Sequence, residues 1–167
     1  KTPGTKELDL TSLRTFVGLA SVLNNEKLTV IDFGGAAGTH FHIAKTILPN
    51  DIIIDWRVVE TREMVGEAKK QGLETAELKF YDSIQSATLN AEIDLVFASS
   101  SIHYTPDPYD CLRSLAAVNA KKLMITRTPI TAFPTILLQR SLLSANGVGE
   151  IPDELGVADK VISYPVT

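Results

Sequence analysis

The sequence predicts an α/β protein, a Rossmann-like three-layer sandwich whose parallel sheet has the strand order 3-2-1-4-5. Two observations lead to this prediction. Short apolar, strand-like runs alternate with amphipathic helical segments, and the first of these runs ends abruptly in the glycines Gly34 and Gly35. Such alternation favours parallel strands joined by right-handed crossovers, with helices on both faces. Ligands of such sheets bind at the carboxyl ends of the strands, so functional residues are expected there.

The predicted elements follow in chain order. Apolar residues at spacings of three and four predict an N-terminal helix over residues 7–23. Buried strands are predicted where short apolar runs occur, and helices where the spacing is helical. The strands are expected over 28–33, 52–60, 76–82, 93–100 and 121–127, and the helices over 38–48, 61–72 and 108–119. Gly72 is expected to end a helix in a left-handed cap, whereas Asp107 and Pro108 suit a helix start.

Composition indicates one globular domain spanning residues 1–167. The chain is 44% hydrophobic and 22% charged, which is typical of a folded protein. We divide it into an N-terminal helical part (1–27), a Rossmann-like core (28–127) and an irregular tail (128–167). The antiparallel hairpin that normally completes such a sheet is not recognisable in the tail, so we expect it to be missing or incomplete. Because the chain begins with Lys1, we also expect a fragment of a longer protein.

Charge and cysteine content limit the classes of binding partner and the environment that we expect for this protein. A net charge of −4 gives no general attraction to nucleic acid or to anionic lipid. The single cysteine, Cys111, cannot form an intrachain disulfide, and no apolar run is long enough to span a bilayer. We expect a cytoplasmic protein with a small-molecule partner. An uncovered sheet edge would favour pairing with a second copy of the chain.

The segment VIDFGGAAGTHF carries the most information. A glycine turn between a strand and a helix lets a ligand approach the backbone, while the helix N–H groups point at it. The dinucleotide fingerprint needs glycines at its first, third and sixth positions, which here hold Gly34, Ala36 and Thr39. The methyltransferase pattern, an acid followed by small residues at alternate positions, is met by Asp32, Gly34, Ala36 and Gly38.

Acidic and hydroxyl residues follow the next two strands. Glu60 ends the second strand, where a carboxylate can accept hydrogen bonds from both hydroxyls of a ribose. Asp82 follows the third strand, where it could hold the edge of an adenine together with Ser83. Simpler local roles also fit, because Glu60 could cap a helix beginning near Thr61, and Asp82 could stabilise a turn.

The fourth strand runs into the segment SSSIHY. Its small residues would let a ligand come close, and His103 and Tyr104 follow them. A neutral imidazole at His103 could take a proton from an acceptor, whereas an unperturbed phenol at Tyr104 stays protonated near neutral pH. His103 could equally shape the pocket without catalysing. His40 and His42 resemble a metal pair, but two imidazoles without a further ligand are weak evidence, so no metal is expected.

The segments IDFGGAAG, WRVVE, IDLVFASSSIHYTPDPY and ITRTPI, with Tyr164 and Pro165 near the end, resemble one group of class I methyltransferases. Members of this group are often found near polysaccharide or lipopolysaccharide biosynthesis genes. The resemblance covers about residues 28–167 and implies S-adenosylmethionine as the cofactor. It implies methyl transfer to a small-molecule or saccharide-type acceptor that the sequence does not identify.

The resemblance also implies roles for individual residues. Their common feature is a position after a strand of the predicted sheet. Asp32, Gly34 and Gly38 would surround the methionyl part of the cofactor, Glu60 the ribose, Asp82 and Ser83 the adenine, and Ser99 and Ser100 the cofactor's open side. Gly35, Ala36 and Thr61, in the same turns, complete the predicted cofactor-binding set, and His103 and Tyr104 are the catalytic candidates. Alanine at position 36 departs from the family's glycine and narrows the turn.

Two other functions remain compatible with the sequence. A noncatalytic relative could keep the cofactor pocket for regulation or scaffolding, because a fold does not determine a function. An NAD(P)-dependent oxidoreductase is disfavoured by the poor glycine fingerprint.

Overall fold

The structure is a computed structural model that describes residues 10–23, 27–133, 135–142 and 160–166. Within them the chain alternates between helices and strands. The helices are α1 (Leu10–Ala20), α2 (Thr39–Ile47), α3 (Arg62–Lys70), α4 (Ile84–Thr88) and α5 (Pro108–Ala116), with a 3₁₀ helix over Ile102–Tyr104. The strands are β1 (Lys27–Phe33), β2 (Ile53–Val59), β3 (Leu78–Tyr81), β4 (Leu95–Ser99), β5 (Lys122–Thr126), β6 (Leu137–Leu142) and β7 (Val161–Val166).

Five strands form a parallel sheet in the order β3-β2-β1-β4-β5, which confirms the predicted fold class and strand order. The central strand, β1, pairs with β2 over its whole length, from Lys27 to Phe33. On its other side it pairs with β4. This topology places the carboxyl end of β1, and the glycine turn after it, in the middle of the row formed by the carboxyl ends of the five strands.

Hydrophobic cores cover both faces of this sheet. Side chains of one strand point alternately to opposite faces, so neighbouring residues contribute to different cores. Val30 and Trp56 belong to a cluster on one face, whereas Ile31 and Val59 belong to a cluster on the other. Burial on both faces explains why the sequence of β1 reads as a continuous apolar run rather than an alternating one.

The terminal hairpin, which was expected to be missing or incomplete, is present. Strands β6 and β7 pair antiparallel, from Leu137 opposite Val166 to Leu142 opposite Val161. They form a two-stranded sheet of their own, so the hairpin does not extend the five-stranded sheet. Its two strands are far apart in the sequence, and local patterning cannot show such a pairing. The described parts of 128–167 are thus less irregular than predicted, and residues 143–159 lie outside the described part.

Local capping agrees with the sequence at two positions. Asp107 caps α5, since its Oδ1 accepts a hydrogen bond from the N–H of Asp110 at 2.8 Å. Gly72 adopts φ +67° after α3, the left-handed conformation expected of a helix-ending glycine. The sequence did not predict α4 or the 3₁₀ helix, because elements of five and three residues are too short to show periodicity. In the described ranges, no helix has the length and apolar character that crossing a membrane requires.

Candidate functional site

The carboxyl ends of β1, β4 and β5 carry unusual backbone conformations. Ala36, Ser100 and Arg127 have φ values of +50°, +57° and +56°, in the left-handed region that non-glycine residues rarely occupy. Such conformations cost about 1–2 kcal/mol each and tend to cluster at functional sites. Their concentration at one sheet edge marks this edge as the candidate site.

The glycine turn is packed too tightly for side chains. Gly34 has φ +71°, and a Cβ atom there would collide with the side chain of Ser101. A Cβ atom at Gly35 would collide with the carboxylate of Asp32. Gly38 has φ +86° and lies just before α2. Glycine is therefore required in this turn by contacts within the protein, whatever ligand the turn also holds.

Asp32 lies beneath the turn and has no exposed surface. Its carboxylate accepts a hydrogen bond from the indole N–H of Trp56 at 3.1 Å. The Nδ1 atom of His40 lies 3.1 Å from each carboxylate oxygen. The predicted contact of Asp32 with the methionyl group remains a prediction, but the structure gives this side chain a role in supporting the turn from below.

The pKa of His40 follows from this pairing. Burial lowers the pKa, but the hydrogen bond to Asp32 and the negative charge of Asp32 outweigh burial and raise it above the ordinary value. His42 is exposed, so the two histidines that resembled a metal pair lie in different environments.

Glu60 is the carboxylate best placed to hold a ligand. Its Oε1 accepts a hydrogen bond from the N–H of Ala36 at 2.9 Å, and its Oε2 accepts one from the N–H of Thr61 at 3.2 Å. A carboxylate can accept about four hydrogen bonds, so two positions remain for ligand hydroxyls. Glu60 is partly exposed, and it links the end of β2 to the glycine turn.

The other predicted ribose and adenine residues have roles of their own. Thr61 caps α3 by accepting a hydrogen bond from the N–H of Met64, and Ser83 caps α4 by accepting one from the N–H of Ser86. Asp82 is exposed, and its Oδ2 lies 3.7 Å from the Nε of Arg62. Of these three side chains, only that of Asp82 does not cap a helix.

These side chains line a cavity of about 690 Å³, which we call the acidic cavity. Four carboxylates border it, and no lysine, arginine or histidine among the described residues does. Its lining includes Gly34, Glu60, Asp82, Ser83, Asp107 and Asp110. This volume lies within the range of about 300–1,000 Å³ that small-ligand sites commonly have.

A second cavity, of about 1230 Å³, lies on the other side of the turn and is called here the cationic cavity. Of its described lining residues, Arg127, His40 and His103 can carry positive charge, and none is an aspartate or glutamate. Gly34, Ser100 and Tyr104 line both cavities, so the two are adjacent across the glycine turn. Ser99 borders only the cationic cavity.

His103 is buried in the wall of the cationic cavity, with 4% of its surface exposed. Its Nδ1 atom has no hydrogen-bond partner among the residues the structure describes. Burial, and after it the positive charge of Arg127, lower the pKa of His103 below its ordinary value. The imidazole is therefore neutral at neutral pH, the form that a general base needs.

Tyr104 is partly exposed beside His103, with ring centroids 4.2 Å apart. Its hydroxyl donates a hydrogen bond to the Oε1 of Gln139 at 2.8 Å. This contact brings β6 against the cavity mouth.

Arg127 lies in the segment ITRTPI, and no local pattern there predicts a role for it. The structure places it in the cationic cavity, and its charge lowers the pKa of both His40 and His103. Trp56, in the segment WRVVE, was likewise not predicted to touch the acid of the glycine turn. The position of Trp56 in β2, the strand that pairs with β1, was the one signal that it could lie near Asp32.

No protein-family model matches the chain, and no curated protein does either. Solved structures match it at low similarity. An S-adenosylmethionine-dependent methyltransferase from Aquifex aeolicus is 18% identical with a TM-score of 0.46, and the match covers 87% of this chain and 74% of that one. One from Thiobacillus denitrificans, in complex with S-adenosyl-L-homocysteine, is 14% identical with a TM-score of 0.42, covering 78% and 49%. A mycolic acid cyclopropane synthase is 11% identical with a TM-score of 0.48, covering 83% and 49%.

The chain spans half or less of the first three structures matched, at 50%, 46% and 41% of their lengths. Likenesses this distant carry no argument about function. The strand order and the glycine turn after β1 define the fold class by themselves, as a Rossmann-like α/β sheet with a separate antiparallel hairpin.

Proposed function

We propose that this chain binds S-adenosylmethionine and transfers its methyl group to a small acceptor. The observation that supports this most is the Glu60 carboxylate, which is tied to the glycine turn and keeps two acceptor positions beside the acidic cavity. A ribose offers two neighbouring hydroxyl donors, and it matches that arrangement.

The residues present fit the parts of this cofactor. On the acidic side, Glu60 would hold the ribose, and Asp82 with the small Ser83 would border the adenine. At the turn, the backbone of Gly34 and Gly35 opens onto the cationic cavity, where the methionyl part would lie. Asp32 would act from beneath, by holding the turn in the shape that this contact needs.

Bound S-adenosylmethionine would supply a methyl group on a positively charged sulfur, so the protein needs no nucleophile of its own. The task of the chain's residues is to align the acceptor and to receive its proton. His103 is neutral, buried and lines the cavity next to the turn, so it is the proposed base. Tyr104 would help to enclose the acceptor through its contact with Gln139. A saccharide-type acceptor is supported only by the sequence resemblance.

The first experiment is a calorimetric titration with S-adenosylhomocysteine, with NAD as the comparison. We expect S-adenosylhomocysteine to bind and NAD not to. Glu60→Gln should weaken binding about tenfold or more, since hydrogen bonds to a charged group contribute about 1.5–3 kcal/mol each. Glu63→Gln, an exposed residue in the first turn of α3, is the matched control and should bind like the parent.

Preferential binding of NAD, or equal affinity in folded Glu60→Gln, would contradict the proposal. A noncatalytic binding protein would give the same titration result, because it would also bind S-adenosylhomocysteine. It would be recognised by the absence of labelled methyl transfer across a panel of hydroxyl and amine acceptors.

A further inference from the structure

Charge is separated between the two cavities. The described lining of the acidic cavity holds Glu60, Asp82, Asp107 and Asp110 and no basic side chain. The described lining of the cationic cavity holds one arginine and two histidines and no acidic side chain. The sulfonium of the proposed cofactor gains nothing from positive charge, and the cofactor's one anionic group there is the methionyl carboxylate, so a second molecule with an anionic group is the alternative partner for this side.

Arg127 dominates the cationic cavity. Its guanidinium makes no hydrogen bond or ion pair within the described ranges, although its charge reaches both His40 and His103. Its backbone is held in a left-handed conformation at the end of β5, where the N–H of Ser100 donates to the carbonyl of Thr126. The Arg127 side chain is exposed and lines the cavity, so a bound oxyanion could pair with its guanidinium.

His103 forms part of the wall of the same cavity and is 4% exposed. Its Nδ1 has no partner in the described part of the chain and has almost no accessible surface, so a ligand in the cavity meets other atoms of the imidazole.

Strand order separates this arginine from the cofactor-binding residues. Glu60 and Asp82 follow β2 and β3, on one side of β1, whereas Arg127 follows β5, the outermost strand on the other side of β1. His103 follows β4, between the glycine turn and Arg127. A molecule bound to Arg127 would therefore reach the turn by passing His103.

We propose that the cationic cavity binds a methyl acceptor carrying a carboxylate or phosphate group, which Arg127 holds through paired N–H donors while the acceptor's reacting atom lies near His103. This inference rests on the proposed function. The planar guanidinium matches both oxyanions, so the shared chemistry is a compact oxyanion on a small molecule.

The experiment uses the whole chain without cofactor and two probes, acetate and methyl phosphate. Each is titrated against sodium chloride at equal ionic strength, because screening alone changes exposed charges. The imidazole resonances of His103 are followed by NMR. We expect a saturable shift with at least one probe, and the probe that binds more tightly identifies the oxyanion.

Three variants complete the experiment. Arg127→Gln should weaken binding of the probe at least tenfold. Arg127→Lys should recover part of the lost affinity, because an ammonium keeps the charge but lacks the paired N–H donors of a guanidinium. Arg113→Gln removes the same charge from the exposed face of α5 and should leave the titration unchanged.

The result that would overturn the inference is a shift that does not saturate, or one that persists in Arg127→Gln. The other carboxylate within reach is that of the cofactor's methionyl group. If Arg127→Gln weakens the binding of S-adenosylhomocysteine at least tenfold in calorimetry, Arg127 holds the cofactor and the inference fails. The parent protein's affinity for S-adenosylhomocysteine is measured first, so failure of the proposed function is seen separately.

Discussion

The acidic and cationic cavities meet at the same turn but hold their polar groups differently. In the acidic cavity, Glu60 and Ser83 already accept hydrogen bonds from backbone N–H groups. In the cationic cavity, Arg127 and the Nδ1 of His103 have no such partner within the described residues. Glu60 and Ser83 are therefore oriented before any ligand arrives, whereas Arg127 is exposed and has no ion pair within the described ranges.

This difference has an energetic meaning. Side chains that are already fixed lose little freedom on binding, so the acidic cavity suits a cofactor shared by every turnover. The exposed guanidinium of Arg127 has no ion pair within the described ranges, so an anionic ligand could pair with it in the cationic cavity. Discrimination between acceptors is expected to arise in the cationic cavity.

The largest effect is expected at Asp32, beneath the turn that both cavities share. Asp32→Ala would leave the indole N–H of Trp56 and the Nδ1 of His40 without their buried acceptor. A buried group left without its hydrogen-bond partner costs about 1–3 kcal/mol, so the free energy of unfolding, measured in urea, should fall by at least about 2 kcal/mol for the two groups together. Asp32→Asn keeps one acceptor oxygen and should lose less.

Asp51→Ala, in the exposed loop before β2, is the control and should change stability by less than about 0.5 kcal/mol. If folded Asp32→Asn weakened S-adenosylhomocysteine while leaving oxyanion binding unchanged, Asp32 would serve the cofactor alone, and the shared support of the two cavities would be disproved.

A smaller effect is expected from pH, and it belongs to the cationic cavity because both buried histidines lie there. The pKa of His40 is raised, so its stabilising contribution is complete below about 6.5 and is lost as pH rises through the raised value. The pKa of His103 is lowered, so stability falls as pH drops below about 6.5 towards the lowered value.

Urea midpoints between about pH 5 and 8 would measure this. We expect His40→Gln to reduce the loss of stability at the alkaline end of this pH range, and His103→Gln to reduce the loss of stability at the acidic end. His42→Gln, on the exposed surface, is the control variant. Loss of both slopes in a single variant would show that the two imidazoles titrate as one coupled unit rather than separately.

The smallest effect is expected at Ala36, whose N–H ties the turn to Glu60. Its φ of +50° is one that glycine adopts without strain, so Ala36→Gly should stabilise the protein by about 0.5–1 kcal/mol. Thermal unfolding would measure the gain. Asn119→Gly is the comparison, because Asn119 has φ +57° away from both cavities and asparagine tolerates this conformation. A destabilised Ala36→Gly would show that the methyl group's packing outweighs the strain.

Much of the fold could be predicted from local patterns, and part of the site could too. The apolar run over β1 and the glycines after it predicted where the strand ends, and the strand order followed from general rules of connection. Glu60 was found because it ends a strand. The hairpin of β6 and β7 was missed because its strands are far apart in the sequence, and the pattern within one strand does not show which strand it pairs with.

Local patterns in the sequence were enough to predict β1 to β5, the helices α1, α2, α3 and α5, and the position of the turn, because hydrophobic periodicity and glycine act between neighbouring residues. The three-dimensional packing was needed to show that Trp56 and His40 hold the carboxylate of Asp32, and that Arg127 lies close enough to His103 to lower its pKa. These contacts join residues far apart in the chain, and they exist because parallel strands bring their carboxyl ends to one edge. No local pattern encodes which side chains meet there.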